Sequence, residues 1–168
     1  MSTETTNNTA QQAVQVQQDL IGRCDHRLDP KRRVTIPQKW FERMNSPADL
    51  LVMRSLTGDP CLSVFTYEDF NARMAPLRNR AFSDARLAAF LREVSENVVS
   101  ISVDSQNRLR LPEDMLEYIG LAGSSNDVVL IGTGTRFEVW SLASRPKQAL
   151  NEKTHQRSFA ELAQDFNF

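Results

Sequence analysis

One phrase occurs twice in this chain, and it constrains the fold more than any other feature. Leu28-Asp29-Pro30-Lys31-Arg32-Arg33-Val34-Thr35-Ile36-Pro37 returns as Val103-Asp104-Ser105-Gln106-Asn107-Arg108-Leu109-Arg110-Leu111-Pro112. Aspartate, arginine and proline all keep an offset of 75 residues. Leu62-Ser63-Val64-Phe65 and Phe137-Glu138-Val139-Trp140 hold the same offset. Asp49-Leu50-Leu51-Val52-Met53 matches Asp127-Val128-Val129-Leu130-Ile131 at 78, so one copy has gained or lost three residues in a loop. Order, apolar pattern and charged punctuation survive together, which marks a duplicated folding unit. With only two copies, a closed pair is expected in place of an extended solenoid.

Each copy reads as strand, turn, strand, short helix and hairpin. Leu20 to Leu28 fits a strand, Asp29-Pro30-Lys31-Arg32 a turn, and Arg33-Val34-Thr35-Ile36 alternates as a half-buried strand does. Pro37 suits the first turn of a helix carrying Trp40, Phe41 and Met44 on one face. Strands follow at 50–55 and 61–66 around Thr57-Gly58-Asp59-Pro60. The second copy predicts strands at 98–103, 108–111, 127–132 and 136–141, a helix from Pro112 to Ile119, and a reversal at Gly132-Thr133-Gly134-Thr135. Between the copies, Tyr67 to Glu96 reads as one or two helices, with Leu87, Phe90, Leu91 and Val94 on one face.

Four short strands make a poor core alone, whereas two such units can bury each other's faces and hide their edges. The expected class is α+β, mainly β: two units closing a small β-barrel, with peripheral helices. The expected boundaries are a disordered tail at 1–18, a first unit with the start of the helical connector at 19–80, the rest of the connector and a second unit at 81–145, and a helical C-terminal tail at 146–168. The first of these rests on a Thr-, Asn-, Gln- and Ser-rich composition that cannot offset the entropy of ordering.

Composition narrows the function classes. No stretch approaches the roughly 18 to 20 apolar residues of a membrane span, and the N-terminus lacks the features of a secretory signal. Two cysteines, Cys24 and Cys61, suit a reducing cytoplasm, and two histidines are too few for a zinc site. Net charge is −1, but five basic residues between Arg23 and Arg33 face only Asp25 and Asp29. Arginine outnumbers lysine sixteen to four, and guanidinium can bind phosphate or guanine in bidentate fashion. Gly132-Thr133-Gly134 is followed by a strand pattern, so it is no phosphate loop. No nucleophile elbow or paired acid and base appears, and neither enzyme activity, a cofactor nor a small-molecule substrate is expected.

The two Asp-x-x-x-Arg turns carry the strongest signal. Asp29 and Asp104 suit structural turns, accepting bonds from the turn's own amides. Arg33 and Arg108 could pair with those aspartates or point away. Alternatively, each loop presents Arg27, Lys31, Arg32 and Arg33, or Gln106, Asn107, Arg108 and Arg110, to double-stranded DNA. Phosphate contacts would position the protein and base-edge contacts would read the sequence. On that second reading Arg33 serves recognition and contributes little to folding.

The first phrase resembles the Asp-x-Lys-Gly-Arg-x-x-x-Pro signature of the MraZ family, and its recurrence at Arg108 and the closing Arg136-Phe137-Glu138-Val139-Trp140 are similar to that family's second half. The resemblance covers roughly residues 20 to 145. It implies two AbrB-like swapped-hairpin units in one chain, transcriptional regulation, binding to repeated elements upstream of the division and cell-wall gene cluster, and assembly as a ring-shaped homo-oligomer in the cytoplasm, at the nucleoid. Lys31, Arg33 and Arg108 match its DNA-contacting positions. The family glycine is Arg32 in the first copy and Asn107 in the second. Glycine suits a positive φ and arginine less so, which predicts a different turn in the first loop. A ring-forming scaffold that binds a protein partner through its helices or C-terminal tail is the alternative.

Overall fold

The computed structural model describes residues 19–123 and 125–145; the two expected tails lie outside this range. Strand β1 (Leu20–Arg27) leads through the first Asp loop to β2 (Arg33–Thr35), the short helix α1 (Gln38–Arg43) and the hairpin β3 (Asp49–Arg54) and β4 (Cys61–Phe65). The second half repeats this order as β5 (Val98–Ser102), β6 (Arg108–Arg110), α4 (Glu113–Tyr118), β7 (Asp127–Gly134) and β8 (Phe137–Ser141). Pro37 and Pro112 sit just before α1 and α4 with φ of −53° and −59°, values the proline ring imposes in any case. Two helices join the halves: α2 (Tyr67–Ala81), capped by the Thr66 hydroxyl, and α3 (Ala85–Asn97), capped by the Asp84 carboxylate.

Strand pairing exchanges partners between the halves. β1 does not join its own hairpin; it runs antiparallel to β7 from Leu20↔Gly134 to Arg27↔Asp127. Reciprocally, β5 pairs with β3 from Asp49↔Ser102 to Met53↔Val98. The hairpins meet at β4 and β8, giving one six-stranded antiparallel sheet in the order β1-β7-β8-β4-β3-β5. Exchanging each element for its counterpart in the other half reverses this order without altering it, so the sheet has an internal pseudo-twofold at the β4–β8 seam.

The sheet does not close into the expected barrel. β1 and β5 stand at opposite edges, and among the described residues no ladder joins them. The reason lies in β2 and β6, whose three residues each pair with one another as a separate ribbon through Arg33↔Arg110, Val34↔Leu109 and Thr35↔Arg108. That ribbon lies over the sheet and meets the β5 edge at one isolated bridge, Val103 to Leu109, but among the described residues no ladder runs through it to close the sheet. The second hairpin reverses at Gly134-Thr135, within the expected segment, with Thr133 N–H donating to the Arg136 carbonyl at 2.9 Å. β7 continues through Gly134, and only Thr135 and Arg136 lie between it and β8, because β1 extends the ladder along its far side. Gly132 has a steric role there: a Cβ would fall 2.5 Å from the Leu20 carbonyl oxygen.

One face of the sheet, the ribbon and the short helices α1 and α4 enclose the main core, including Val34, Trp40, Leu50, Leu62, Leu109, Leu116, Leu130 and Phe137. Trp40 packs on Phe137 with ring centroids 5.7 Å apart, joining the two halves. On the other face, Leu51, Met53 and Phe65 meet Phe70 and Met74 of α2 and Val94 of α3. The predicted α3 stripe is covered only in part. Val94 is buried and Leu91 packs beside it, but Phe90 is exposed, because α3 reaches the sheet only near its C-terminal end.

Two outcomes test this arrangement. Gly132→Ala forces the Leu20 backbone to move and should cost about 1–3 kcal/mol in urea unfolding, as overpacking does; an unchanged midpoint would contradict the close approach. Residues 19–97 expressed alone leave β1 without β7 and β2 without β6. They should give an aggregated, swapped or poorly dispersed species, and a well-dispersed monomer spectrum in heteronuclear NMR would show that each half folds by itself.

Candidate nucleic-acid interface

Each loop is built around its aspartate. Asp29 Oδ1 accepts the backbone N–H groups of Lys31 and Arg33, both at 2.9 Å, while the Arg32 N–H donates to the Asp29 carbonyl at 2.9 Å. The Asp29 N–H returns to the Arg33 carbonyl at 3.1 Å and closes the turn. The second loop repeats every bond: Asp104 Oδ1 accepts Gln106 N–H at 2.9 Å and Arg108 N–H at 3.0 Å, and Asn107 N–H donates to the Asp104 carbonyl at 3.0 Å. The fourth residue of each turn is left-handed, Arg32 at φ 61° and Asn107 at φ 56°. The first loop therefore keeps the turn of the second, contrary to expectation, because the aspartate bonds that define it are backbone bonds indifferent to the side chain at that position.

The two loops are locked to each other. Arg33 donates through Nε to Asp29 at 2.6 Å and places Nη1 3.4 Å from Asp104. Arg108 donates through Nε to Asp104 at 2.8 Å and places Nη1 3.9 Å from Asp29. The four side chains are 23–31% exposed, so this crossed pair of ion pairs is largely withdrawn from solvent. Backbone bonds reinforce the crossing, with Ile36 N–H donating to the Asn107 carbonyl at 2.8 Å and Leu111 N–H to the Arg32 carbonyl at 3.2 Å. Arg33 was expected to contribute little to folding, yet its guanidinium joins Asp29 to Asp104, the latter 71 residues beyond Arg33 along the chain. Desolvation works against ionisation of Asp29, but the Arg33 amide and guanidinium and the Lys31 amide outweigh it and hold the carboxyl below its usual range. Desolvation is likewise overcome at Asp104 by Arg108 and the Gln106 amide.

The quartet carries no net charge, so the surface character of this end comes from the residues around it. Lys31, Gln106 and Arg110 are exposed, and among the described residues neither Lys31 nor Arg110 has an acidic partner. Arg27 is exposed as well, with Nε 2.9 Å from Asp127. Arg32 is different: its guanidinium turns into the fold, onto Asn126, Leu121 and Glu113, and its side chain is 18% exposed. Asn107 donates its side-chain amide to Gln38 at 2.5 Å. The partners Asn126, Glu113 and Gln38 carry no motif of their own and escape a reading of the sequence. The one available sign is that Gln38 and Glu113 also keep the 75-residue offset.

Burial and the nearby Glu138 carboxylate push the Cys61 thiol up to about 12, which leaves it protonated and unreactive. Among the described residues no group of three or more His, Cys, Asp or Glu side chains could hold a metal ion, and no helix is long and apolar enough to cross a membrane.

Residues 96–166 match the family model for the antitoxin-like MraZ protein. The transcriptional regulator MraZ of Acetivibrio thermocellus is 32% identical over 142 residues, covering 84% of this chain and 94% of that protein. The chain belongs to the MraZ family of transcriptional regulators. MraZ of Syntrophomonas wolfei is 30% identical over 87% of this chain and 95% of its own length, and MraZ of a Thermoanaerobacter species is 29% identical over 88% and 99%. The MraZ family is non-enzymatic, in keeping with a site made of turn-locked cations and amides.

The depressed carboxyl pKa values set a pH dependence. Such a group adds stability above its unfolded pKa of about 3.9 and loses it as pH falls through the lower folded value. Asp104→Asn should therefore melt below the wild type by a gap that is constant above about pH 5 and narrows below roughly pH 4. A gap undiminished in melts at about pH 3 would show that the charged carboxylate is not the stabilising species.

Proposed function

We propose that this MraZ protein binds double-stranded DNA through the end of the molecule formed by its two Asp-centred loops. The observation that carries this reading is the joining of two equivalent, rigid loops side by side, with Lys31, Arg27, Gln106 and Arg110 outside the neutral quartet. Arg33 and Arg108 hold the loops in register and lie among the contacts, and Asn107 keeps one edge of the second loop polar. Arginine and lysine would hold phosphates, while Gln106 and an arginine could read base edges in the major groove.

The targets in this proposal are repeated elements upstream of the division and cell-wall gene cluster, and the acting form is a ring of identical subunits in the cytoplasm, at the nucleoid. A subunit with net charge −1 has few cations to spend on phosphates. Several weak loops on one assembly would convert later contacts into intramolecular ones, with avidity gains on the order of 10² to 10⁴. The α2–α3 arm supports assembly, since Phe82 at its tip is 99% exposed and Phe90 on α3 is 37% exposed. Such apolar groups are what a subunit contact covers.

The test separates contact from fold. Lys31→Ala and Arg110→Ala should leave melting temperature unchanged, weaken binding to the DNA upstream of the protein's own gene, and each lower the salt slope of log affinity by about one unit. Affinity should also rise steeply from one repeat to three. Unchanged affinity in both variants would remove DNA from the loops, and equal affinity for one and three repeats would remove the avidity account.

A further inference from the structure

We infer that Arg32 is a positioning residue for the first recognition loop and not a phosphate contact, its side chain pinning that loop to the other half of the molecule where the second loop has the shorter Asn107 at the same turn position. This inference rests on the DNA-binding reading above and refines the loop's division of labour. Arg32 belongs by sequence to the basic cluster Lys31-Arg32-Arg33, whose charge would ordinarily count towards a ligand. Its geometry assigns it elsewhere.

The guanidinium reaches four acceptors in the second half. Nη1 donates to the Asn126 side-chain oxygen and lies 3.4 Å from the Ser125 carbonyl; Nη2 donates to the Leu121 carbonyl and lies 3.3 Å from a Glu113 carboxylate oxygen. Both terminal nitrogens of this planar fork are committed to acceptors, only the buried Nε lacks a partner, and a lysine ammonium cannot reproduce the span. Asn126 is gripped from two directions, because its carbonyl also accepts the Leu28 N–H at 2.9 Å at the entrance to the same loop. The chain therefore enters and leaves the first turn against one fixed neighbour.

The second loop supplies the comparison. Asn107, at the same turn position and the same left-handed φ, contacts Gln38, the first residue of α1; Arg32 contacts Glu113, the first residue of α4. Each loop is thus pinned at its fourth residue to the short helix of the other half. Asn107 does so with one amide, whereas Arg32 adds three acceptors on the chain between α4 and β7. A side chain at φ 61° is held in a region that favours glycine, and the inward bonds are what such a residue obtains in return. The loop beside it presents Lys31, so rigidity at Arg32 places that cation.

The full-length protein carrying Arg32→Gly or Arg32→Lys tests the assignment, with Gly132→Ala as a control of reduced stability far from the loops. Binding is measured on a labelled duplex covering the DNA immediately upstream of the protein's own gene, across a salt series at a temperature where every variant is folded. Both Arg32 variants should lose about tenfold in affinity with the salt slope unchanged, and the Leu28 and Lys31 amides should exchange with deuterium about tenfold faster. Gly132→Ala should bind as the wild type does. Retained affinity in Arg32→Lys, together with a slope lower by about one unit in Arg32→Gly, would make Arg32 a phosphate contact and overturn the inference. Unchanged amide exchange would overturn it as well. If the wild type itself fails to bind the duplex, the DNA reading falls while amide exchange still decides whether Arg32 pins the loop.

Discussion

Two aspartates and two arginines meet where the halves of this molecule cross, and each ion pair has one member reaching towards the other half. Asp29 with Arg33 and Asp104 with Arg108 would each be a local turn contact of little consequence if solvated separately. Brought together at 23–31% exposure, they share their partners, and removing any one leaves an opposite charge poorly compensated in a partly dehydrated place. The three-residue strands β2 and β6 are too short to persist alone. They persist because the quartet fixes one end of the ribbon while Val34 and Leu109 seal its inner face against the core.

The exchange of β1 and β5 makes this crossing possible. Each first strand leaves its own hairpin for the other, so the loop that follows must pass over the molecular centre and meet its counterpart there. A tandem arrangement without exchange would place the two loops on separate units. Here one surface carries both, tied together by the quartet and by backbone bonds between the loops. Because the central charges cancel, the outward charge and polarity of this end come from Lys31, Arg27, Gln106 and Arg110, which are exposed.

The two loops share backbone geometry but not tethers. Asn107 fits its left-handed site with little strain and makes one amide contact. Arg32 occupies the same site against its intrinsic preference and spreads a guanidinium over the second half. The fourth residue of the first loop thus makes more bonds to the opposite half than that of the second, an asymmetry that the pseudo-twofold sheet does not share.

The duplication, the strand and helix order, and the Asp-centred turns were legible along the chain because they depend on local chemistry: alternation, proline before α1 and α4, and a carboxylate beside its own amides. The strands fell within a residue or two of their observed limits, the largest difference being at β7, which pairing with β1 carries on to Gly134. The sequence by itself also identified Asp29 and Asp104 as turn residues and marked the basic cluster. Only the tertiary structure decided the open sheet in place of a barrel, the exchange of first strands, and which arginines are available. Residues 31, 32 and 33 are all cations in sequence, yet one faces outward, one is bound to Asn126 and Leu121, and one joins Asp29 and Asp104. Their acceptors lie up to 94 positions away, and no local pattern encodes a partner at that distance.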